Sequence, residues 1–200
     1  MISLSRFCFL TLMVSLSACS SPSVHYHTLV APIAEVPTPV QPAPFLIAVL
    51  PVGIPSQIDV PQLVVRQGDS GARVLDNERW LSPLGDEIRT ALSVGLMQRL
   101  GTQDVAGLAK TEETPTIKIQ LQVRRFDTWP GRVVEFDVGW SLSSQGKRLV
   151  CSSRFAQATE PGYTAMLQAQ QQIIAGLATQ IAATARQWSL DDQSRCISER

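Results

Sequence analysis

An eight-residue stretch in the middle of the chain decides the fold: IKIQLQVR, at positions 117–124. Its apolar and polar residues alternate, as they do along a β-strand whose successive side chains point to opposite faces. The alternation returns over Val134–Leu142, and the chain then continues into Arg148–Ala158. Short turns at Trp129–Gly131 and Ser144–Lys147 separate the three segments. The pattern therefore predicts an antiparallel meander with one face in the core.

Helical periodicity flanks this meander on both sides. Leucine or isoleucine recurs every four residues over Leu84–Leu100, which predicts a helix that buries one face. Ser82 is expected to cap this helix, with Pro83 at its first position and the acids Asp86 and Glu87 in its first turn. The helical period returns over Tyr163–Trp188. The order predicts a single layered α+β domain: an antiparallel sheet with a mid-chain helix and a long C-terminal helix.

Shorter strands are predicted on either side of the mid-chain helix. Phe45–Val52 is a continuous apolar run ended by prolines, which is typical of a buried strand. Gln62–Gln67 and Ala72–Leu75 resemble two strands joined by a turn, and a further strand is expected over Val105–Ala109. These elements assign residues 45–200 to the folded domain.

The composition argues against two functional classes. The 17 basic and 17 acidic residues give a formal net charge of zero, so no nucleic-acid partner is predicted. The two histidines, His25 and His27, lie close to the N-terminus, and no other histidine offers a general base to a serine nucleophile. His25 and His27 share one side of an extended segment; surface histidines are favoured there over a metal site. We therefore predict no enzyme activity, no catalytic residue, no metal and no cofactor.

Some charged and aromatic residues remain to be interpreted. Neighbouring acids face different directions and are expected to be solvated; such pairs occur at Asp86–Glu87, Glu112–Glu113 and Asp191–Asp192. Trp129 lies in a hairpin turn, where an aromatic ring often meets a partner, so it is the candidate partner-binding residue, with a core position as the open alternative. Trp80 is expected to pack against the mid-chain helix.

The N-terminus has the layout of a secretory signal, with an apolar run over Phe7–Leu16. The run of about ten residues is too short to span a bilayer as a helix, which needs roughly 20. Its end, Leu16–Cys19, resembles the lipobox at which bacterial lipoprotein precursors are cut and lipidated. The resemblance implies that residues 1–18 are removed and that Cys19 carries acyl chains. Ser20, in place of an aspartate, implies sorting to the periplasmic leaflet of the outer membrane.

The segment that follows the lipidation site is rich in proline. Residues 19–44 are predicted to form a semi-rigid tether that lifts the domain off the bilayer. Within it, Val24–Leu29 has the composition of a strand and is alternatively an edge strand of the domain.

Two cysteines remain once the N-terminal pair is assigned. Cys8 leaves with the signal and Cys19 carries lipid, which leaves Cys151 and Cys196. An even pair in an oxidising compartment predicts a disulfide. Closing a loop of this length contributes about 3 to 4 kcal/mol in the chain-entropy model.

Three motifs then carry a family resemblance. The first is Tyr26-His27-Thr28-Leu29, similar to a Tyr-Tyr-x-Leu segment near the mature start. The second is Pro61-Gln62-Leu63-Val64, and the third is Trp80-Leu81-Ser82-Pro83-Leu84, similar to a Trp-x-x-Pro-Leu signature that opens a helix. In this order behind a lipobox, they resemble the ABC-type transport auxiliary lipoproteins, the PqiC-like lipoproteins of MCE systems.

The resemblance implies a function as well as a fold. Such lipoproteins are non-catalytic and act at the outer membrane with an MCE-domain protein anchored in the inner membrane, in ABC-type lipid transport. It implies docking of that partner, by one copy or by a homo-oligomeric ring. The alternative is a stand-alone periplasmic lipid carrier or assembly chaperone. The motif residues to follow in the structure are Tyr26, Leu29, Pro61, Trp80, Pro83 and Leu84.

Overall fold

A computed structural model describes residues 22–32, 41–108 and 114–197. The predicted signal, Cys19 and the pair Glu112–Glu113 lie outside these residues. Within them the chain forms, in order, β1 (His25–His27), β2 (Leu46–Val49), β3 (Gln62–Gln67), β4 (Gly71–Trp80), α1 (Leu84–Leu100), β5 (Thr116–Trp129), β6 (Val133–Ser144), β7 (Lys147–Ala158) and α2 (Tyr163–Leu190). The predicted α+β class, with a mid-chain helix and a long C-terminal helix, is confirmed.

The larger of two sheets has four strands in the order β2-β5-β6-β7. Strands β5, β6 and β7 form the predicted antiparallel meander, while β2 adds to β5 in the parallel direction, with Leu46 opposite Thr116. The apolar residues of the 117–124 stretch are all buried. The period-two pattern therefore marks the core face of this sheet correctly.

The smaller sheet has three strands in the order β1-β4-β3. Strands β3 and β4 form an antiparallel hairpin, and β1 pairs with the end of β4 in parallel, with His25 opposite Glu78. Leu29, directly after β1, is fully buried. Farther on, the Ala43 N–H donates to the Leu100 carbonyl. Within the segment predicted as a tether, His25–His27 thus form an edge strand and Ala43 bonds to the end of α1, while residues 19–21 and 33–40 lie outside the described residues.

The two helices pack against each other, and α2 covers one face of the larger sheet. The leucines and isoleucine spaced four apart in α1 are all buried, as their periodicity predicts. The helix ends at Gly101, whose φ of 60° is a left-handed conformation that glycine adopts without strain. Arg186 of α2 donates to the Arg99 and Leu100 carbonyls, which have no partner within α1.

The start of α1 differs from the prediction. Pro83, rather than Ser82, occupies the N-cap position, and no side chain caps the helix there. The Ser82 hydroxyl instead donates a hydrogen bond of 2.6 Å to the carboxylate of Glu87. Because Pro83 takes the N-cap position, Ser82 is attached to the helix through its hydrogen bond to Glu87 and not as an N-cap residue.

The strand predicted over Val105–Ala109 is wrong in its described part. Val105–Leu108 forms a turn, preceded by an isolated bridge between Asp104 and Ile47. The carboxylate of Asp104 accepts hydrogen bonds from Val49 N, Ser93 Oγ and Ala106 N. The backbone N–H groups of Val49 and Ala106 thus bond to a side chain and not to a neighbouring strand, and the chain turns here.

The structure joins Cys151 of β7 to Cys196, which follows α2, in a disulfide. The Cα atoms lie 5.8 Å apart, and the bridge closes a sequence separation of 45 residues. It fastens the chain after α2 to the outermost strand of the larger sheet.

Removing this bridge should destabilise the protein without changing its fold. Cys196→Ser should lower the free energy of unfolding by about 3 to 4 kcal/mol, and thus the thermal midpoint by roughly 10 °C. Thermal melts of oxidised protein measure this, with reductant-treated wild type as the control that should match the variant. Equal midpoints for oxidised wild type and variant, or two alkylatable thiols in unreduced wild type, would contradict the bridge.

Candidate functional site

The motif residues meet at one corner of the molecule, where β1 and β4 lie beside the start of α1. His27 is opposite Trp80, the Leu81 N–H donates to the His27 carbonyl, and the Trp80 N–H donates to the Pro61 carbonyl. Trp80 is buried, as are Leu29 and Leu84, whereas Tyr26 is exposed. Trp80 is thus a core residue. The three motifs form one contact region between chain segments that are far apart in sequence, and this region is called the motif joint below.

A buried carboxylate holds this joint together. Glu87, only 3 % exposed, accepts four hydrogen bonds. The Thr28 hydroxyl (2.7 Å) and the Leu29 N–H (2.9 Å) donate to Oε2, while the Ser82 N–H (3.1 Å) and hydroxyl (2.6 Å) donate to Oε1. Hydrogen bonds to an ionised group are roughly twice as strong as neutral ones. One side chain therefore connects the segment after β1, the β4–α1 link and α1.

The prediction that Asp86 and Glu87 are both solvated is wrong for Glu87 and right for Asp86, which is exposed. Glu87 lies three residues after Leu84 and next to Ile88, so it shares their buried helix face. That spacing is the sequence signal that could have identified it. The serines, threonines and backbone N–H groups that satisfy it come from distant segments and carry no such signal.

Exchanging this carboxylate for an amide should cost stability. Glu87→Gln keeps the size of the side chain but replaces one acceptor oxygen with an NH₂ group. The buried donors that now bond to that oxygen lose their partner. We expect a loss of about 2 kcal/mol in the free energy of unfolding by denaturant titration. The matched control is Asp86→Asn in the same helical turn, with a change within about 0.5 kcal/mol. Equal effects of the two substitutions would refute the role of Glu87.

The two histidines of β1 contact a second carboxylate. His25 Nδ1 lies 3.1 Å from Glu78 Oε1, and His27 Nε2 lies 2.5 Å from Glu78 Oε2. Burial alone would raise the pKa of Glu78, but the hydrogen bonds from His27 and then His25 outweigh it and hold the pKa below its usual value. His25 is exposed, as predicted, while His27 is part-buried. Both serve to attach β1 to β4.

This contact makes the attachment of β1 sensitive to acid. Because the pKa of Glu78 is lower in the folded state, its contribution to stability is present above about pH 4.5 and is lost as the pH falls through the lowered value. The stability difference between wild type and Glu78→Gln should therefore be clear at pH 6 and should shrink at pH 3. Thermal melts at both values measure it, with Asp76→Asn on the same strand as the control. A difference that stays constant would rule out this linkage.

The candidate partner-binding residue, Trp129, is half-buried at the end of β5. Its indole Nε1 donates to the Gly68 carbonyl at 3.0 Å, which joins the β5–β6 turn to the β3–β4 turn. Three guanidinium groups lie 5.2 to 5.7 Å from the ring centroid, those of Arg66, Arg125 and Arg132. Distances of this size permit cation–π attraction. The ring is thus the centre of a basic cluster that the sequence did not indicate.

The arginines of this cluster differ in their partners. Arg125 pairs with Asp127 at 2.5 Å and with Glu135 at 2.6 Å, and the hydrogen bond to Asp127 raises the pKa of Arg125. Arg66 lies 3.8 Å from Asp127. No carboxylate of the described residues pairs with Arg132. The cluster therefore holds three positive groups against two negative ones.

Residues 22–32, 41–108 and 114–197 contain no group of three or more histidine, cysteine or acidic side chains arranged to hold a metal ion. None of the helices in this part of the chain is both long and apolar enough to cross a membrane.

One known protein family matches most of this chain. A family model described as the ABC-type transport auxiliary lipoprotein component matches residues 27–182. The chain belongs to this family. The match begins within β1 and ends within α2, so it includes both sheets and the motif joint. No curated protein matches the chain.

Solved structures share the fold of this family member. A Xanthomonas campestris protein of the DUF330 family is 18% identical, with a TM-score of 0.61 over 84% of this chain and 99% of that one. An uncharacterised protein is 21% identical, with a TM-score of 0.65 over 81% of this chain and 98% of that one. At such identities the likeness concerns the fold alone.

Proposed function

We propose that this chain is a non-catalytic outer-membrane lipoprotein that docks an inner-membrane MCE-domain protein of an ABC-type lipid transporter. The observation that carries the proposal is the family match over residues 27–182, behind the lipobox-like Leu16–Cys19. The family description supplies the auxiliary transport role. The outer membrane, the MCE partner and the lipid cargo are the proposed parts.

The chemistry of the described residues supports a binding role. His25 and His27 both contact Glu78 and hold β1 in place, and the buried Glu87 holds the segment that follows β1. The side chains of His25, His27, Glu78 and Glu87 thus attach the N-terminal strand to the domain. In a lipoprotein that links a membrane to a partner, force passes from the N-terminal lipid through β1 to the domain. The attachment of β1 to the domain must therefore withstand that force.

The proposed anchor is Cys19, with Ser20 directing the protein to the outer membrane. Several acyl chains on one cysteine give stable attachment, whereas a single chain binds only marginally. Acylation of Cys19 leaves five residues before β1 begins at His25. The domain is therefore proposed to lie close to the bilayer that holds its lipid.

The anchor can be tested by substitutions at two neighbouring positions. Cys19→Ala should yield an uncleaved precursor that takes up no labelled palmitate and is absent from outer-membrane fractions. Ser20→Asp should remain lipidated but move to the inner membrane, and Ser20→Ala should behave as wild type. Labelling and sucrose-gradient fractionation measure these outcomes. A Cys19→Ala variant that still labels and fractionates with the outer membrane would overturn the anchor.

The partner is tested by mild crosslinking in cells followed by purification of the wild-type lipoprotein. An MCE-domain protein should copurify with wild type and be lost with Cys19→Ala, because the unlipidated precursor is not sorted to the outer membrane, where docking is proposed. If no MCE-domain protein copurifies and the purified chain carries bound lipid instead, the chain acts as a periplasmic carrier and the docking proposal is wrong.

A further inference from the structure

The direction of β1 indicates which end of the molecule faces the membrane. β1 runs parallel to β4, with His25 opposite Glu78, so the chain enters β1 from the side on which β4 begins at Gly71. Cys19 is six residues upstream of His25, a reach of at most about 20 Å. The seven steps from Gly71 to Glu78 span at most about 23 Å, and less because the β3–β4 register shifts between Leu75 and Arg79. An extended chain upstream of His25 would therefore bring Cys19 to within a few ångströms of the level of Gly71.

The start of β4 is also where the basic cluster lies. Trp129 contacts Gly68 in the turn that precedes β4. The Thr159 N–H donates to the Arg132 carbonyl, and a Cβ added to Gly131 would lie 3.4 Å from Pro161. The turns Gly68–Ser70, Trp129–Arg132 and Thr159–Gly162 thus form one end of the molecule, the Trp129 end. The opposite end of β6 is about 40 Å away.

The Trp129 end has the chemistry of a surface that meets phospholipid headgroups. Guanidinium groups bind phosphate in a bidentate manner, and a tryptophan ring suits the boundary between apolar chains and water. Asp69 and Glu160 are exposed on the same turns and can accept from an ammonium group. Mixed charge of this kind fits a zwitterionic headgroup better than a purely anionic one.

We propose that the Trp129 end binds the phosphate of zwitterionic phospholipid headgroups, chiefly through Arg132, in the leaflet that holds the lipid of Cys19. The indole of Trp129 lies at the headgroup level and orients Arg132, while Arg66 is held by Asp127 and by the Asp69 carbonyl. The proposal rests on the proposed anchorage at Cys19. It assigns the Trp129 surface to the membrane, so that the MCE partner would contact other faces of the domain.

The test uses full-length lipidated protein, verified by mass, in vesicles of phosphatidylethanolamine and phosphatidylcholine with a small fraction of lipid spin-labelled at the headgroup. The readout is quenching of tryptophan fluorescence. Of the four tryptophans, Trp80, Trp140 and Trp188 are buried, so a headgroup quencher reports on Trp129. The variants are Trp129→Phe, Arg132→Gln and Arg148→Gln. Arg148 is an exposed arginine on β7 at the opposite end of the molecule and is the matched control.

Three results together are expected. Trp129→Phe should lose most of the quenchable fluorescence, Arg132→Gln should reduce quenching at least twofold, and Arg148→Gln should match wild type. Wild-type quenching should fall to the Arg132→Gln level in vesicles of digalactosyldiacylglycerol with the same density of spin label. Circular dichroism spectra of the variants should match that of wild type.

Other results would overturn the proposal. Undiminished quenching in Trp129→Phe would show that this end does not meet the membrane. Equal quenching in phospholipid and galactolipid vesicles would show contact without recognition of phosphate. A ring that stays unquenched in vesicles but becomes shielded by an added MCE-domain protein would assign the surface to that partner. Because the protein is already lipidated, each of these failures leaves the anchor at Cys19 intact.

Discussion

The buried carboxylate of Glu87 is the interaction on which the rest of this architecture depends. Its two oxygens collect four donors from two chain segments, Thr28–Leu29 and Ser82, and Glu87 itself belongs to α1. A buried charge is tolerated only where hydrogen bonds replace water around it. Each segment is therefore held in place by the others. The N-terminal strand β1 thereby becomes part of the folded domain.

Under α2, a second set of polar contacts fixes how the helix lies on the larger sheet. Trp140 Nε1 donates to Ser153 Oγ, which donates to Gln180, and Gln170 donates to Thr128. All of these side chains are buried. Apolar packing alone tolerates small shifts of a helix along a sheet, whereas buried hydrogen-bond partners must meet. The polar pairs thus select one position of α2 over the meander.

The sequence predicted those elements whose signal is local and periodic. The alternation over residues 117–124 and the four-residue spacing in α1 each record one buried face, and the structure buries those residues. The predictions of an N-cap at Ser82 and of a strand over Val105–Ala109 are wrong for one shared physical reason. At both places an acidic side chain, Glu87 or Asp104, accepts hydrogen bonds from residues up to about 60 positions away. No local pattern records such partners.

The candidate site likewise combines residues with a local sequence signal and residues that only the fold brings together. Trp129 was conspicuous because it lies in a hairpin turn, but its arginines are brought together only by the contact between two hairpins. Similarly, Val24–Leu29 had the composition of a strand, yet its parallel partner at the end of β4 cannot be read from periodicity. The direction of that pairing sets the end of the domain from which the chain enters β1.

The proposed orientation of the domain on the membrane is tested most directly by measuring how far each end of the domain lies from the bilayer. With Cys151 bonded to Cys196, and with Cys19 acylated as proposed, Ser70→Cys and Arg148→Cys each add one free thiol to the chain. Energy transfer from a dye on either thiol to an acceptor in the bilayer then gives the two distances for lipidated protein in vesicles. If the Trp129 end meets the membrane, position 70 lies near the headgroups and position 148 lies about 30 Å farther away. Equal distances, or position 148 closer to the bilayer, would contradict the proposed orientation.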